Sequence, residues 1–166
     1  MKYLSRIVLA VYLLVLLWLV LFKFSAHPLS VLSNYQTRSL NLIPFAGTSF
    51  SNLYQVIENV IAFVPLGLLL SVNFKVTHFW QKLTFICALS LAVEITQYVF
   101  AIGATDVTDV ITNTLGGFIG LLLYDVGSKY IKDQKLDRFI VVLSTVLLVL
   151  FIFLRTLFFR VRYHSH

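Results

Sequence analysis

IVLAVYLLVLLWLVLF, Ile7 to Phe22, is an unbroken run of 16 apolar residues. A helix of a soluble protein keeps one polar face for water, and this segment has none to offer. With its flanks it reaches the roughly 20 residues that carry a helix across a bilayer. The basic MKYLSR ahead of it resembles the start of a secretory signal. The run is longer than the 7–15 residues of a typical signal core, and no A-x-A-like site follows, so an uncleaved first span is expected.

The rest of the chain agrees with that solvent. Of the 166 residues, 59% are hydrophobic and 12% charged, against about 25% charged in soluble domains. Phe139 to Leu154 forms a second apolar run, interrupted only by Ser144 and Thr145. Three further segments are long enough but less uniform: about Glu58 to Phe74, Gln81 to Ile102 and Thr108 to Val126. Five spans leave one long loop, roughly Ser25 to Ile57, and no stretch sufficient for a soluble domain. The expected fold is an all-α polytopic membrane protein, a single domain over residues 1–166. Cys87 is the only cysteine, which excludes disulfide frameworks and cysteine metal clusters and leaves packing in the third helix as its role.

Orientation is read from the basic residues of short loops. With the N-terminus inside, eight Lys and Arg fall on the cytoplasmic side and five outside, among them Arg155, Arg160 and Arg162 of the tail. The tail opposes the bias. A re-entrant or surface-lying segment at 139–154 would remove the conflict and is the alternative to a fifth span. The net charge of +6 suits anionic lipid headgroups, and nothing resembles a nucleic-acid module.

The polar residues of the apolar segments fall on faces. At 100° per residue, Asp106, Asp109, Asn113, Gly116, Gly117, Gly120 and Tyr124 share one stripe of the fourth helix. Asp106 can cap that helix, with Asp109 as the third-position partner of a capping pair, and Gly116 and Gly120 form a GxxxG pair that admits a neighbouring backbone. On the third helix Cys87, Ser90, Glu94, Gln97, Tyr98 and Ala101 align likewise. On the second, Asn59 and Ala62 share a face, joined by Asn52 and Gln55 if the helix extends back that far. Pro65 and Gly67 mark a kink there, since proline leaves the carbonyl of Ile61 without its usual donor.

Three polar faces in lipid turn towards each other, because an ionised carboxylate facing hydrocarbon costs several kcal/mol. No Lys or Arg lies mid-helix to neutralise Glu94. Its charge has to be met by protonation, by amides such as Asn59 and Asn113, by water, or by a cation. Glu94 then acts as structural glue or, with Asp106 and Asp109, rims a polar pocket open to the outer surface. Asn41-Leu-Ile-Pro44-Phe45 in the first outer loop reads as a turn, with Pro44 fixing φ and Phe45 at the interface.

Taken in order, these motifs resemble the VanZ-like family: Asn41 to Phe45, Asn59 with Phe63-Val-Pro65-Leu-Gly67, Glu94-Ile-Thr-Gln97, and Asp106-Val-Thr-Asp109 through Asn113 to Gly117 and Gly120. They span residues 41–124, half the chain and the whole polar system. The family comprises small multi-pass bacterial membrane proteins, some associated with low-level resistance to the glycopeptide teicoplanin. The resemblance implies a cell-envelope role in the bacterial cytoplasmic membrane. It also implies a binding set of Asn41, Pro44, Phe45, Asn59, Glu94, Gln97, Asp106, Asp109 and Asn113. Many members place an arginine ahead of the first aspartate, where this chain has Gly103-Ala104-Thr105. That departure favours a cation or ammonium group over an anionic ligand.

The expected activity is non-catalytic: binding of membrane lipid, a lipid-linked wall precursor or a lipoglycopeptide. The alternatives are an intramembrane enzyme using Glu94, Asp106 and Asp109, and a small transporter. No cofactor is expected, the one alternative being a divalent cation at Asp106 and Asp109. Two aspartates and an asparagine make an incomplete oxygen site for a divalent cation, and no nucleophile and base stand out.

Overall fold

The computed structural model describes residues 2–22, 39–45, 50–101 and 104–163. The elements are α1 (Lys2–Leu21), β1 (Ser39–Asn41), α2 (Phe50–Asn73), α3 (Phe79–Phe100), β2 (Ala104–Asp106), α4 (Val107–Tyr130) and α5 (Asp133–Tyr163). Five of these helices are long and apolar enough to cross a membrane. The protein is an all-α, multi-pass membrane protein.

Three boundaries differ from the sequence reading. Helix α2 begins at Phe50 rather than near Glu58, because the polar opening FSNLYQ is helical although it lacks an apolar run. Helix α5 starts at Asp133 and continues unbroken to Tyr163, earlier and further than the apolar run from Phe139 to Leu154 indicates. Its 31 residues extend about 46 Å at 1.5 Å per residue, more than the roughly 30 Å hydrocarbon thickness. Within the expected loop lies β1, which pairs in parallel with β2, Asn41 opposite Asp106. The Asn52 side chain and Gly103, both named above, fall outside the described residues.

Helices α2 and α4 form the closest pair, and glycine makes it so. A Cβ at Gly116 would collide with the carbonyl of Val60, one at Gly120 with that of Val64, and one at Gly67 with that of Gly117. Gly117 turns instead to α3, where a Cβ would stand 2.6 Å from Ile86 Cδ1. Backbones this near exchange dispersion contacts that side chains would block, the association mode favoured where lipid supplies no hydrophobic drive. Around the seam Leu16, Phe63, Leu66, Leu69, Ile86 and Leu121 are buried, while Leu14, Ile61, Ile95, Val99 and Val142 face outwards.

Pro65 lies inside α2, and the helix runs on through it. The hydroxyl of Tyr12 on α1 donates to the carbonyl of Ala62 at 2.6 Å, one residue beyond the carbonyl that proline deprives. At the other end of the bundle the Asn73 amide donates to the carbonyls of Leu69 (2.8 Å) and Ser5 (3.3 Å), and the Ser5 hydroxyl donates to Asn73 Oδ1 at 2.9 Å. The first and second spans are therefore tied at mid-depth and at one rim.

Candidate functional site

The opposite rim is built on Asp106. It closes β2 in extended backbone, φ −130° and ψ 123°, and caps α4 by accepting from the Thr108 N–H at 2.8 Å. Strand register sets Asn41 beside it, and the Asn41 amide donates to its other oxygen at 3.1 Å. Asn41 Oδ1 in turn accepts from the Ile43 N–H at 3.2 Å, an Asx-type turn that bends NLIPF back. Phe45, with φ 57°, donates its N–H to Thr108 Oγ1 at 3.0 Å. The loop is thus a turn, as its residues indicate, and it is also clasped onto the first turn of α4. Pro44 and Phe45 side chains stay exposed.

The expected capping pair within α4 is not formed. The Asp106 N–H donates to Glu94 Oε2 at 2.9 Å, so a carboxylate from α3 fills the place usually taken by the third helical residue. Such a partner is ordinarily Glu or Gln, and Asp109 is one methylene too short to reach back. Asp109 points to α2 instead. There it accepts from the Asn59 amide at 2.8 Å and from the Gln55 amide at 3.3 Å on each oxygen.

This arrangement also corrects the amides assigned to Glu94. Asn59 serves Asp109, with a long second contact to Thr112 Oγ1 at 3.4 Å. Asn113 donates to Ser90 Oγ at 2.9 Å. Antiparallel geometry explains the exchange. One turn into α4 from Asp109 stands Asn113, and one turn down α3 from Glu94 stands Ser90, so the deeper pair meets separately. Gln97, buried on the same face, leaves the cluster altogether and donates to the carbonyls of Val20 and Leu21, both at 3.0 Å, closing the C-terminus of α1. Tyr98, placed on the α3 stripe, is exposed.

The site therefore has depth. Asn41 and Asp106 are partly exposed at the rim, while Glu94 and Asp109 behind them are 2% and 6% exposed. The side-chain oxygens of Gln97 and Asn113 are buried and have no partner among the described residues. Thr108, Thr112 and Gln55 complete the network. At 100° per residue the two threonines fall outside the stripe of Asp106, Asp109, Asn113 and the glycines, so the stripe passes them by. Among the described residues no three His, Cys, Asp or Glu side chains gather as metal ligands. Asp106 and Asp109 turn to different partners. Below the rim an apolar groove of about 390 Å³ opens between α1, α2 and α5, lined by Tyr12, Leu16, Pro65, Leu147 and Phe151, with Glu58 at its lip.

Residues 9–128 match the family model described as VanZ/LLP1. The chain is also 55% identical over 155 residues to "Protein VanZ" of Enterococcus faecium, an alignment covering 93% of this chain and 94% of that protein. The chain belongs to the VanZ/LLP1 family. No solved structure matches it. The VanZ/LLP1 segment begins within α1 and ends in α4, and so holds every residue of the rim network, whereas α5 lies beyond it. The separated VanZ/LLP1 motifs converge: NLIPF on Asp106 and Thr108, Glu94 on the Asp106 backbone, and Asn59 on Asp109.

Proposed function

We propose that the protein is a non-catalytic envelope factor. It binds or shields a lipid-linked wall precursor, a lipid headgroup or a lipoglycopeptide at the outer rim, and so lowers susceptibility to teicoplanin-type antibiotics. The observation that carries this reading is the clasp of the partly exposed Asn41 and Asp106 over buried Glu94. The rim offers oxygen acceptors, which suit a ligand rich in N–H, ammonium or hydroxyl donors. The groove below it, which runs along α2 from Glu58 to Pro65, gives an acyl chain an apolar bed. Among the described residues of the rim network no Ser, Cys or Lys is paired with a base, so the groups there favour occupancy over covalent turnover. The 55% identity to a protein named VanZ supports the teicoplanin part of this reading.

A binder protects in proportion to its copy number, whereas an enzyme at a few copies can convert much of a substrate pool. In cells titrated from trace to high expression, teicoplanin tolerance is expected to track protein abundance, with the mass spectrum of envelope lipids and wall precursors unchanged. A new lipid or precursor species at trace expression, absent in Glu94→Gln, would overturn the binder and establish catalysis through that carboxylate.

A further inference from the structure

A cavity of about 580 Å³ lies at the rim opposite the carboxylates, among the start of α1, the end of α2, the turn after it and the start of α5. That volume falls in the roughly 300–1,000 Å³ range of ligand pockets. Arg6, Lys75 and Arg138 reach it from three different elements. Lys75 is committed, paired with Asp137 at 2.7 Å and Asp133 at 3.1 Å. Asp137 is shared further, accepting from the Tyr124 hydroxyl at 2.8 Å. Ser5 and Asn73, on the cavity wall, satisfy one another. That leaves Arg6 and Arg138, exposed and with no ion pair among the described residues.

Their sequence positions fix their depth. Arg6 immediately precedes the apolar run from Ile7, and Arg138 immediately precedes the run from Phe139. Both guanidinium groups therefore stand where hydrocarbon gives way to headgroups. Tyr3, Ile7, Phe139 and Val142 beside them are exposed, an apolar flank along which acyl chains can lie. Guanidinium presents a planar fork that matches phosphate oxygens two at a time, and two such forks on one cavity suit a single phosphate between them. From this we infer that the cavity is a binding site for the phosphate of an anionic phospholipid, gripped by Arg6 and Arg138 together. It ties α5 to α1 and is separate from the carboxylate rim.

The test uses full-length protein in mild detergent. Binding is measured by native mass spectrometry and by melting temperature with phosphatidylglycerol, with phosphatidylcholine, or with inorganic phosphate. Wild type is expected to retain one phosphatidylglycerol preferentially and to melt higher with it, but not with phosphatidylcholine or inorganic phosphate. Arg6→Gln/Arg138→Gln is expected to lose affinity by roughly 30-fold, from about 1 kcal/mol for each cation at headgroup depth. Lys132→Gln/Lys135→Gln, which removes the same charge outside the cavity, is expected to bind as wild type. Arg6→Lys/Arg138→Lys keeps the charge and loses the forks, and is expected to bind weakly while melting normally without lipid. Equal loss in the two Gln pairs, or none in the arginine pair, would overturn the site. A response to inorganic phosphate that Arg6→Gln/Arg138→Gln abolishes would overturn the lipid as its source.

Discussion

Gly120→Ala adds one methyl group to α4, and its effect follows from what that methyl meets. The nearest atom is the backbone carbonyl oxygen of Val64, with the Gly67 Cα close behind at 3.1 Å. Neither can rotate away, so α2 and α4 must separate along the seam. Overpacking costs about 1–3 kcal/mol, and an unyielding backbone places this site at the upper end. Alanine returns about 1 kcal/mol through its helix propensity, leaving a net loss of roughly 2 kcal/mol. At roughly 2–4 °C per kcal/mol for a chain of this size, the melting temperature drops by roughly 4–8 °C. Gly127→Ala is the internal control on the same helix. Its new Cβ meets only the Leu136 methyl carbons, both at 3.4 Å, so the propensity gain survives and the melt rises by roughly 2–4 °C. Fluorescence-detected size-exclusion melts in one detergent compare the pair directly. If Gly120→Ala melts with or above wild type, or moves with Gly127→Ala, the close-approach argument fails.

The Asn59–Asp109 contact is buried, and an intramolecular hydrogen bond contributes about 0.5–1.5 kcal/mol net. A double-mutant cycle of Asn59→Leu and Asp109→Leu should show coupling of about that size, and additive losses would show the two groups to be independent. In a Cys87→Ala background, Pro44→Cys should react with an impermeant maleimide in whole cells and Lys132→Cys only after lysis; the reverse pattern would invert the chain in the membrane. Burial lowers the Lys75 pKa, but hydrogen bonds with Asp137, Tyr124 and Asp133 outweigh it and carry the ammonium above its ordinary value. Its contribution, held to about 1 kcal/mol by exposure, is thus complete at neutral pH and lost only above the ordinary lysine value of about 10.4. The melting difference between wild type and Lys75→Met should accordingly stay constant from about pH 6 to 9, and a difference that grows or vanishes in that range would contradict the pairing.

Much of this was legible in the chain because helical periodicity survives in lipid. Of the α4 stripe, Asp109, Asn113, Gly116, Gly117, Gly120 and Tyr124 are buried and Asp106 at the rim is partly exposed, since below the rim a polar or glycine face has nowhere to go but inwards. What periodicity does not carry is the pairing between faces. Whether Asn59 meets Glu94 or Asp109 depends on the offset of α2 against α4, set by glycine contacts and by two strands of three residues each, too short to show alternation. Gln97 obeys its stripe and still leaves the cluster, because the carbonyls it caps belong to residues 76 and 77 positions earlier. The polar start of α2 stays conditional in the sequence for a related reason: what Gln55 meets, the carboxylate of Asp109, lies 54 positions further along the chain.

The cap on α4 bears on how the protein is made. A helix that opens with uncapped N–H groups is a poor candidate for lipid, and here the Asp106 N–H is met from outside its own helix. Its acceptor, Glu94, belongs to α3 and leaves the ribosome first. When α4 enters the bilayer, the group that completes its first turn is already there, so the order of translation matches the order of need. At α1 the order is reversed: its last carbonyls are synthesised long before Gln97, but they sit at a rim where water can serve in the interval. A circular permutant that delivered α4 ahead of α3 would keep every residue and lose that timing, so its insertion yield, rather than its final stability, is where the defect would appear.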